Sequence, residues 1–136
     1  MSSELLERCM PPRERLVFWL RRLYKHRLTT TTGGNLSFVD DDGILYITPS
    51  GGDKALVPPS SVATCKPGND LFEGTRAPSM EWKLHTLAYS VRPDCKAVLH
   101  AHSMALIAFS LAGDSDSISS HCMPTHNPGV PGKQSV

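Results

Sequence analysis

The sequence predicts an α/β fold in which a central mixed or antiparallel sheet is covered by helices. Three observations indicate this class: an apolar pattern of helical period over residues 13–27, a hairpin signal at Asp42-Gly43, and a second helical pattern after Ser79. Strands and helices intermingle, so the helices are expected to cover one sheet. The chain of 136 residues is long enough for one domain, which we predict to span residues 1–113.

Residues 13–27 are predicted to form the first helix, because apolar residues recur there at helical spacing. The residues of this apolar stripe are Leu16, Leu20, Leu23 and Tyr24. Pro11 and Pro12 suit the start of the helix, since its first turn does not use the N–H that proline lacks.

Three short segments that follow are predicted to be strands. Residues 36–39 and 44–48 flank Asp42-Gly43, which favours a tight hairpin turn. A third strand is predicted over residues 61–66. The first two strands are therefore expected to pair across the turn.

The second half of the predicted domain contains two more helices and a strand. Ser79 is a favoured N-cap residue for the second helix, which has apolar residues at helical spacing. These residues are Leu84, Leu87, Ala88 and Val91. Residues 97–102 then predict a buried strand, and Ser103 is expected to cap a third helix that ends near Leu111.

The last segment of the sequence, residues 114–136, has a different composition. It is rich in Ser, Pro, Gly and Asp and shows no hydrophobic period. We therefore expect an irregular tail there.

Composition and charge exclude several classes of partner. A net charge of +1 predicts no nucleic-acid partner, because such proteins usually carry a basic stripe. No apolar run is long enough to span a bilayer, and residues 1–8 lack the apolar core of a signal peptide, so no membrane partner is expected. The four cysteines form no CxxC pair, which favours free thiols and a cytoplasmic location.

His100-Ala101-His102 is the first candidate for chemistry. Because side chains alternate along a strand, both imidazoles are expected to project from one face. Two imidazoles on one strand face can bind one zinc ion. The motif alone is weak, since two unrelated histidines near a strand end give the same pattern.

Glu81 is the second candidate, at the start of the second helix. The helix N-terminus favours a carboxylate there and lowers its pKa. Many acidic residues at this position only match the helix dipole, but a carboxylate near a metal can also move a proton to or from carbon. His85, one turn further on, is interpreted as a packed helix residue rather than a ligand.

Two loops of small residues form the third candidate. They are Gly33-Gly34-Asn35-Leu36-Ser37 and Thr48-Pro49-Ser50-Gly51-Gly52. Both offer backbone N–H groups without bulky side chains, which suits a phosphate cradle. Glycine-rich loops are more often simple turns, so each loop by itself leaves both interpretations open.

The order of five motifs carries more weight than any one of them. The motifs GGNLS, ITPSG, EGT, PSMEW and VLHAHS, within residues 16–113, resemble the class II aldolase/adducin family. The resemblance implies a mixed sheet between helices, assembled as a homotetramer with active sites at subunit interfaces. It also implies a small phosphorylated sugar as substrate and Zn²⁺ as cofactor.

The resemblance also assigns roles to individual residues. His100 and His102 match two zinc ligands, and Glu81 matches the catalytic acid/base. The implied reaction is aldol cleavage by an aldehyde-lyase, through a metal-stabilised enediolate. The residues that match phosphate-binding positions are Gly34, Asn35, Ser50, Gly51 and Ser79.

Two departures from the family pattern bear on activity. Met80 stands where the family often has a second hydroxyl residue, and methionine donates no hydrogen bond. Catalytic zinc normally has three protein ligands, and the family's third histidine is expected about sixty residues beyond His102. The sequence ends at Val136, so the domain is predicted to be incomplete C-terminally. His121 and His126 in the tail are interpreted as incidental.

These departures leave several functions open. The family also contains epimerases, dehydratases and decarboxylases of sugar phosphates, and the non-catalytic adducin head. Retention of Glu81, His100 and His102 favours an enzyme over an adducin-like interaction module. The missing third ligand favours a truncated chain that self-associates through uncovered apolar faces and is a poor catalyst or an inactive fragment.

Overall fold

The computed structural model describes residues 9–66 and 69–112. The chain divides into two compact units, one ending at Met104 and the other beginning at Ala105. Among the described residues, the first contains a four-stranded sheet, two long α-helices and a short 3-10 helix (Pro59–Ser61), and the second is helical. Within the described residues, no helix is long and apolar enough to cross a membrane. The predicted tail, residues 114–136, lies outside the described residues.

The structure confirms the predicted α/β class. The strands are β1 (Asn35–Val39), β2 (Leu45–Ile47), β3 (Ala63–Cys65) and β4 (Ala97–His100). They form one sheet of order β3-β2-β1-β4, in which every neighbouring pair is antiparallel. The helices are α1 (Pro12–Lys25), α2 (Trp82–Val91) and α3 (Met104–Leu111).

Helix α1 packs its apolar stripe against the sheet. Leu16, Val17 and Leu20 are buried, and they form one core with Leu36 of β1 and Val62 before β3. Burial of each such side chain contributes about 1.5–3 kcal/mol. This core holds α1 against the sheet.

The end of α1 lies two residues before the predicted boundary. The Arg27 amide donates to the Tyr24 carbonyl, and the Leu28 amide donates to the Leu23 carbonyl. These bonds form a Schellman motif, in which the residue after the cap adopts a left-handed conformation. Arg27 has this conformation, with a φ of 58°, so the helix cannot continue to residue 27.

The predicted hairpin joins β1 to β2 and is confirmed by their antiparallel pairing. The turn contains Gly43, which has a φ of 78°. The Asp40 carboxylate accepts the backbone amides of Asp42 and Ile44 and so stabilises the turn.

Strand β1 presents an apolar face and a polar face. Leu36 and Phe38 lie on the face that packs with the core, and Asn35 and Ser37 alternate with them on the opposite face. Helix α2 covers the polar face, where His85 contacts both Asn35 and Ser37. This polar layer positions the candidate site.

The apolar stripe that predicted α2 does not face the sheet. Leu84, Leu87 and Val91 expose 56%, 57% and 64% of their surface, whereas His85 is fully buried. The polar face of β1 is the physical reason, because an apolar stripe placed there would leave buried polar groups unpaired. The prediction that His85 is a packed helix residue is confirmed.

Helix α2 also begins later than Ser79 predicts. It starts at Trp82 with Glu81 in the N-cap position, so the prediction of Ser79 as N-cap is wrong. Ser79 instead forms the preceding turn, where its carbonyl accepts the Trp82 amide and its hydroxyl accepts the Glu81 amide. Local turn formation therefore outweighs the cap preference of serine.

Strand β4 differs from the predicted buried strand in length and in burial. It covers Ala97–His100 rather than residues 97–102, and Leu99 exposes 48% of its surface. Strand β4 is at the edge of the described sheet and pairs with β1 alone, so fewer neighbours cover its side chains. The third helix, Met104–Leu111, ends at the predicted residue.

Candidate active site

Strands β1 and β4 place an amide and an imidazole side by side. Asn35 pairs with His100 in the antiparallel register, so both side chains lie on the same face of the sheet. The side-chain nitrogen of Asn35 lies 3.5 Å from His100 Nδ1. Asn35 is buried, whereas the His100 side chain is 34% exposed. The end of β4 thus presents an accessible imidazole next to a buried amide.

Glu81 joins this pair from the N-terminus of α2. Its Oε2 atom accepts a hydrogen bond from the Asn35 side-chain amide and also contacts His100 Nδ1. The hydrogen bond from Asn35, followed by the contact with His100, lowers the pKa of Glu81. The sequence predicts a lowered pKa from the helix terminus, but the larger causes are these two side chains of the sheet. The carboxylate is therefore ionised at neutral pH.

His102 lies beyond the end of β4, and yet its ring reaches the same place. Its backbone amide donates to the Leu28 carbonyl at 3.0 Å, which fixes the chain after the strand. The ring centroids of His100 and His102 are 4.8 Å apart, with the planes tilted by 48°. The two imidazoles of the HxH motif are therefore neighbours, and the one on His100 contacts Glu81.

Gly33 makes room for the His102 ring. A Cβ atom on Gly33 would lie 2.8 Å from His102 Nδ1 and 2.6 Å from Thr30 Oγ1. Both distances are below ordinary van der Waals contact, so a larger residue would displace one of these groups. The sequence interpretation placed Gly33 in a small-residue loop and missed this steric role. Its only sequence signal is the doubled glycine.

The side chains at this place suit part of a metal site. Imidazole nitrogens and a carboxylate oxygen are ligands that zinc accepts. Among residues 9–66 and 69–112, no three His, Cys, Asp or Glu side chains are arranged to hold a metal ion by themselves. The two imidazoles thus fit as two members of a site that needs a further ligand. His121 and His126 lie outside the described residues.

The loops that carry the predicted phosphate-binding residues lie next to one another. The Ser50 amide donates to the Ala77 carbonyl at 2.9 Å, and the Ser79 amide donates to the Thr48 carbonyl at 2.9 Å. The Leu36 amide donates to the Thr48 hydroxyl at 3.1 Å, which joins the start of β1 to the same cluster. The five predicted residues on these loops are Gly34, Asn35, Ser50, Gly51 and Ser79.

These loops differ in how open they are. Gly34 has a φ of 79°, and a Cβ atom there would lie 3.0 Å from the His100 carbonyl oxygen, so glycine fits best. No atom lies within 4 Å of a Cβ built on Gly51, so this backbone faces open space. Met80 is 88% exposed beside them. The loop after β2 therefore has room for a ligand.

Two cations beside these loops were missed by the sequence interpretation, which assigned only amides and hydroxyls to phosphate. Arg76 donates from Nη2 to the Ser50 carbonyl at 3.1 Å, and its Nη1 would lie 2.6 Å from a Cβ built on Gly52. Lys54 is 1% exposed. Burial, followed by the charge of Arg76, lowers the pKa of Lys54. The positive charge lies where an anionic ligand would be favoured.

A buried series of polar contacts extends from Asn35 into the interface between β1 and α2. Asn35 Oδ1 contacts His85 Nε2, and His85 Nδ1 lies 2.6 Å from the Ser37 hydroxyl. The Ser37 hydroxyl lies 2.6 Å from the Tyr89 hydroxyl. Burial lowers the pKa of His85, so the ring is neutral at pH 7.

Comparison with known families identifies the family of the chain. The family described as Class II Aldolase and Adducin N-terminal domain matches residues 14–132, which is most of the chain. The chain belongs to this class II aldolase/adducin family. The family resemblance predicted from the five motifs is confirmed.

Curated relatives within the class II aldolase/adducin family include aldolases and a dehydratase of sugar phosphates. The chain is 35% identical over 92 residues to 5-deoxy-D-ribulose 1-phosphate aldolase of Bacillus thuringiensis serovar kurstaki, covering 67% of this chain and 43% of that protein. It is 38% identical over 84 residues to L-fuculose phosphate aldolase of Escherichia coli, covering 62% and 38%. It is 34% identical over 90 residues to methylthioribulose-1-phosphate dehydratase of Yersinia enterocolitica, covering 66% and 43%. The chain thus spans less than half the length of these relatives.

Solved structures show the same fold over a similar part of the chain. An L-fuculose 1-phosphate aldolase superposes with a TM-score of 0.63 at 33% identity, covering 76% of this chain and 46% of that one. The enzyme of that name from Thermus thermophilus gives a TM-score of 0.58 at 30% identity, covering 72% and 52%. The four-stranded sheet and its helices are therefore part of a class II aldolase fold.

Proposed function

We propose that this class II aldolase-family chain acts as a zinc-dependent lyase, which cleaves a sugar phosphate by aldol cleavage. The observation that carries the proposal is the meeting of three groups: the ionised Glu81 carboxylate contacts His100, whose ring neighbours that of His102. An interaction module has no need for two imidazoles beside a carboxylate held in its ionised form. The sugar-phosphate aldolases among the relatives support the reaction class.

Glu81 is proposed as the catalytic acid/base. Its pKa is lowered by the Asn35 and His100 contacts, so the carboxylate is ionised at neutral pH and can accept a proton, as a weaker base than an ordinary glutamate. In aldol cleavage a base takes a proton from a substrate hydroxyl while the neighbouring C–C bond breaks, and the proton is then available to the carbon that gains the electron pair. Glu81 is partly exposed, with 39% of its side chain accessible, which leaves a path to substrate.

His100 and His102 are proposed to hold the metal ion. Bound zinc would supply a Lewis acid for the carbonyl and hydroxyl oxygens of the substrate. The Asn35 side chain holds Glu81 next to these imidazoles, so the acid/base and the metal ligands share one place. A third ligand is needed to complete the usual catalytic zinc site.

The phosphate is proposed to bind on the three adjacent loops. Gly34, Asn35, Ser50, Gly51 and Ser79 provide the matched positions. The open backbone at Gly51 lies next to Arg76, which adds a guanidinium donor. Binding of the phosphate there would fix the sugar with its reacting carbons toward Glu81.

The proposal is tested with the purified chain and a panel of ketose 1-phosphates, with aldehyde release followed by a coupled assay. Zinc content per chain is measured in parallel. We expect Glu81→Gln to abolish cleavage while keeping zinc, and His100→Ala to lose both. Glu73→Gln, which changes an exposed carboxylate in the loop before α2, is the matched control. Zinc binding without cleavage of any ketose phosphate would refute the proposed aldolase activity. Absence of both zinc binding and cleavage would indicate a non-catalytic module or an inactive fragment.

A dehydratase that acts on a methylthioribulose phosphate is the second candidate function. Two relatives named methylthioribulose-1-phosphate dehydratase are 34% and 36% identical to this chain. Elimination of water also needs a carboxylate that moves protons next to a Lewis acid. The two reactions give different products, so the assay separates aldehyde release from loss of water. Epimerase and decarboxylase activities are tested on the same panel.

We also propose that the chain forms homo-oligomers in the cytoplasm, as the family resemblance implies. Sedimentation of the purified chain over a range of concentrations tests assembly. A tetramer would support shared active sites, and a monomer at all concentrations would contradict the proposal.

A further inference from the structure

Five side chains of β1 and α2 form one continuous series of hydrogen bonds, ordered Tyr89, Ser37, His85, Asn35 and Glu81. His85 and Ser37 are fully inaccessible to solvent, and Asn35 is 5% exposed. Glu81 and Tyr89, at the two ends of the series, are partly exposed, whereas the three side chains between them are buried. The proposed acid/base is thus one of two partly exposed ends of a polar network whose middle is buried.

The charge on Glu81 fixes the direction of every bond in the series. A carboxylate only accepts, so Asn35 must present its amide nitrogen to Glu81 and its oxygen to His85. The Asn35 oxygen then requires a proton on His85 Nε2. In a neutral ring this leaves His85 Nδ1 as an acceptor.

The remaining two bonds follow from the same argument. Because His85 Nδ1 accepts, the Ser37 hydroxyl must donate its single proton to it. Ser37 can then only accept from Tyr89, so the tyrosine hydroxyl donates. Every donor in the series points toward Glu81, and such aligned bonds polarise one another.

We propose that His85 is a positioning residue for Glu81, held as the Nε2–H tautomer by this one-way series of hydrogen bonds. The proposal rests on the proposed role of Glu81 as acid/base. His85 locks the Asn35 amide with its nitrogen toward the carboxylate, and Asn35 in turn holds the carboxylate against His100. If His85 did not donate, the Asn35 amide could turn and present its oxygen to Glu81.

The packing of α2 supports a specific role for His85. A helix with Leu84, Leu87 and Val91 available has a more apolar face to bury, and that face is left exposed. Burial of a histidine in its place is favoured only where both ring nitrogens find partners. Both partners, Asn35 and Ser37, come from the polar face of β1.

The first experiment reads the tautomer directly. Protein labelled with nitrogen-15 histidine contains six histidines, and the His85→Gln variant identifies the His85 ring signals by their loss. We expect a bare Nδ1 and a protonated Nε2, with the Nε2 proton protected from exchange. A protonated Nδ1 with a bare Nε2, or a rapid average of both tautomers, would overturn the proposal. This readout needs no enzymatic activity.

The second experiment measures exchange of the Asn35 side-chain amide protons with solvent. His85→Leu, which removes both ring nitrogens, should accelerate this exchange about tenfold, the effect expected from loss of one hydrogen bond. His85→Gln keeps an amide donor and should restore most of the protection. Ser90→Ala, an exposed hydroxyl on the same helix, is the control and should change nothing. Equal exchange in the wild type and His85→Leu would refute the positioning role.

Tyr89→Phe provides a test if His85→Leu does not fold, because it removes one hydroxyl at the far end of the series. It should keep the His85 tautomer and leave the Asn35 amide protected, since the donors nearest Glu81 remain. A change of tautomer in this variant would contradict the direction set by the carboxylate. Lack of lyase activity in the wild type, with the predicted tautomer present, would refute the proposed function and leave the hydrogen-bond series standing.

Discussion

Asn35 and His100 face each other across β1 and β4, and both contact the same oxygen of the Glu81 carboxylate. The strand register puts the amide and the imidazole on one face, and the turn at Ser79 brings the carboxylate to them. Three separate segments of the sequence thus meet at one atom.

Removal of the Asn35 amide should raise the pKa of Glu81. The hydrogen bond from Asn35 is the largest cause of the lowered pKa, so Asn35→Ala should move it toward the ordinary value of about 4.3. Titration of the glutamate carboxyl carbons by NMR measures the change. Ser37→Ala, on the same face of β1 but without contact to Glu81, should move the pKa less. An equal shift in both variants would show that the hydrogen bond from Asn35 is not the main cause of the lowered pKa of Glu81.

Stability should fall with acid in a window below about pH 6.5. Burial lowers the pKa of His85 in the folded state, so between that pKa and the unfolded value of about 6.5 the unfolded chain binds more protons. The contribution of His85 to the free energy of unfolding is therefore largest above this window and decreases as the pH falls through it. Urea denaturation at a series of pH values measures the slope. His85→Gln should remove the part of the slope above about pH 5, and an unchanged slope there would assign it to other groups.

Gly33→Ala should weaken metal binding more than it weakens the fold. The added methyl group would lie 2.8 Å from His102 Nδ1, so the ring must shift from its present position beside His100. A misplaced ligand typically costs tenfold or more in metal affinity, and about tenfold is expected here. Gly51→Ala adds the same methyl group into open space, at a φ of 63° that strains the backbone without touching either imidazole, and is the control for metal titration. Similar zinc affinity in both variants would indicate that His102 is not a ligand.

Arg27→Gly should stabilise the chain by about 1 kcal/mol. Arg27 adopts a left-handed conformation after α1, which costs a residue with a Cβ atom about 1–2 kcal/mol and glycine much less. Thermal and urea denaturation measure the change. Lys25→Gly, inside the last turn of the same helix, should destabilise by a similar amount. Destabilisation by both substitutions would contradict the cap assignment.

Arg76→Met should weaken binding of phosphate-bearing ligands by about tenfold, because a charged hydrogen bond contributes about 1.5–3 kcal/mol. The guanidinium lies beside the open backbone of the loop after β2. Calorimetry with inorganic phosphate and with a ketose 1-phosphate measures the loss. Arg92→Met removes an exposed guanidinium that pairs with Asp94 and should leave the affinity unchanged. Equal affinities in the two variants would place the phosphate elsewhere.

The sequence by itself determined the class of fold, the bounds of α1 and α3 to within a few residues, and the β1–β2 hairpin. These features depend on local rules: apolar spacing, proline at a helix start and a glycine in a tight turn. The sequence also identified the family, because five short motifs keep their order. Roles for Glu81, His100 and His102 remain predictions, and the structure adds that these side chains come together.

Only the tertiary structure decided which face of α2 is buried. Helical spacing marked Leu84 and Leu87 as one apolar stripe, but the polar face of β1 requires hydrogen-bonding partners and selects His85 instead. The tertiary structure also brought Arg76 to the Ser50 loop and packed His102 against Gly33. The physical reason is common to all three. Partners far apart in sequence meet only after the strands pair, and no local periodicity carries that information.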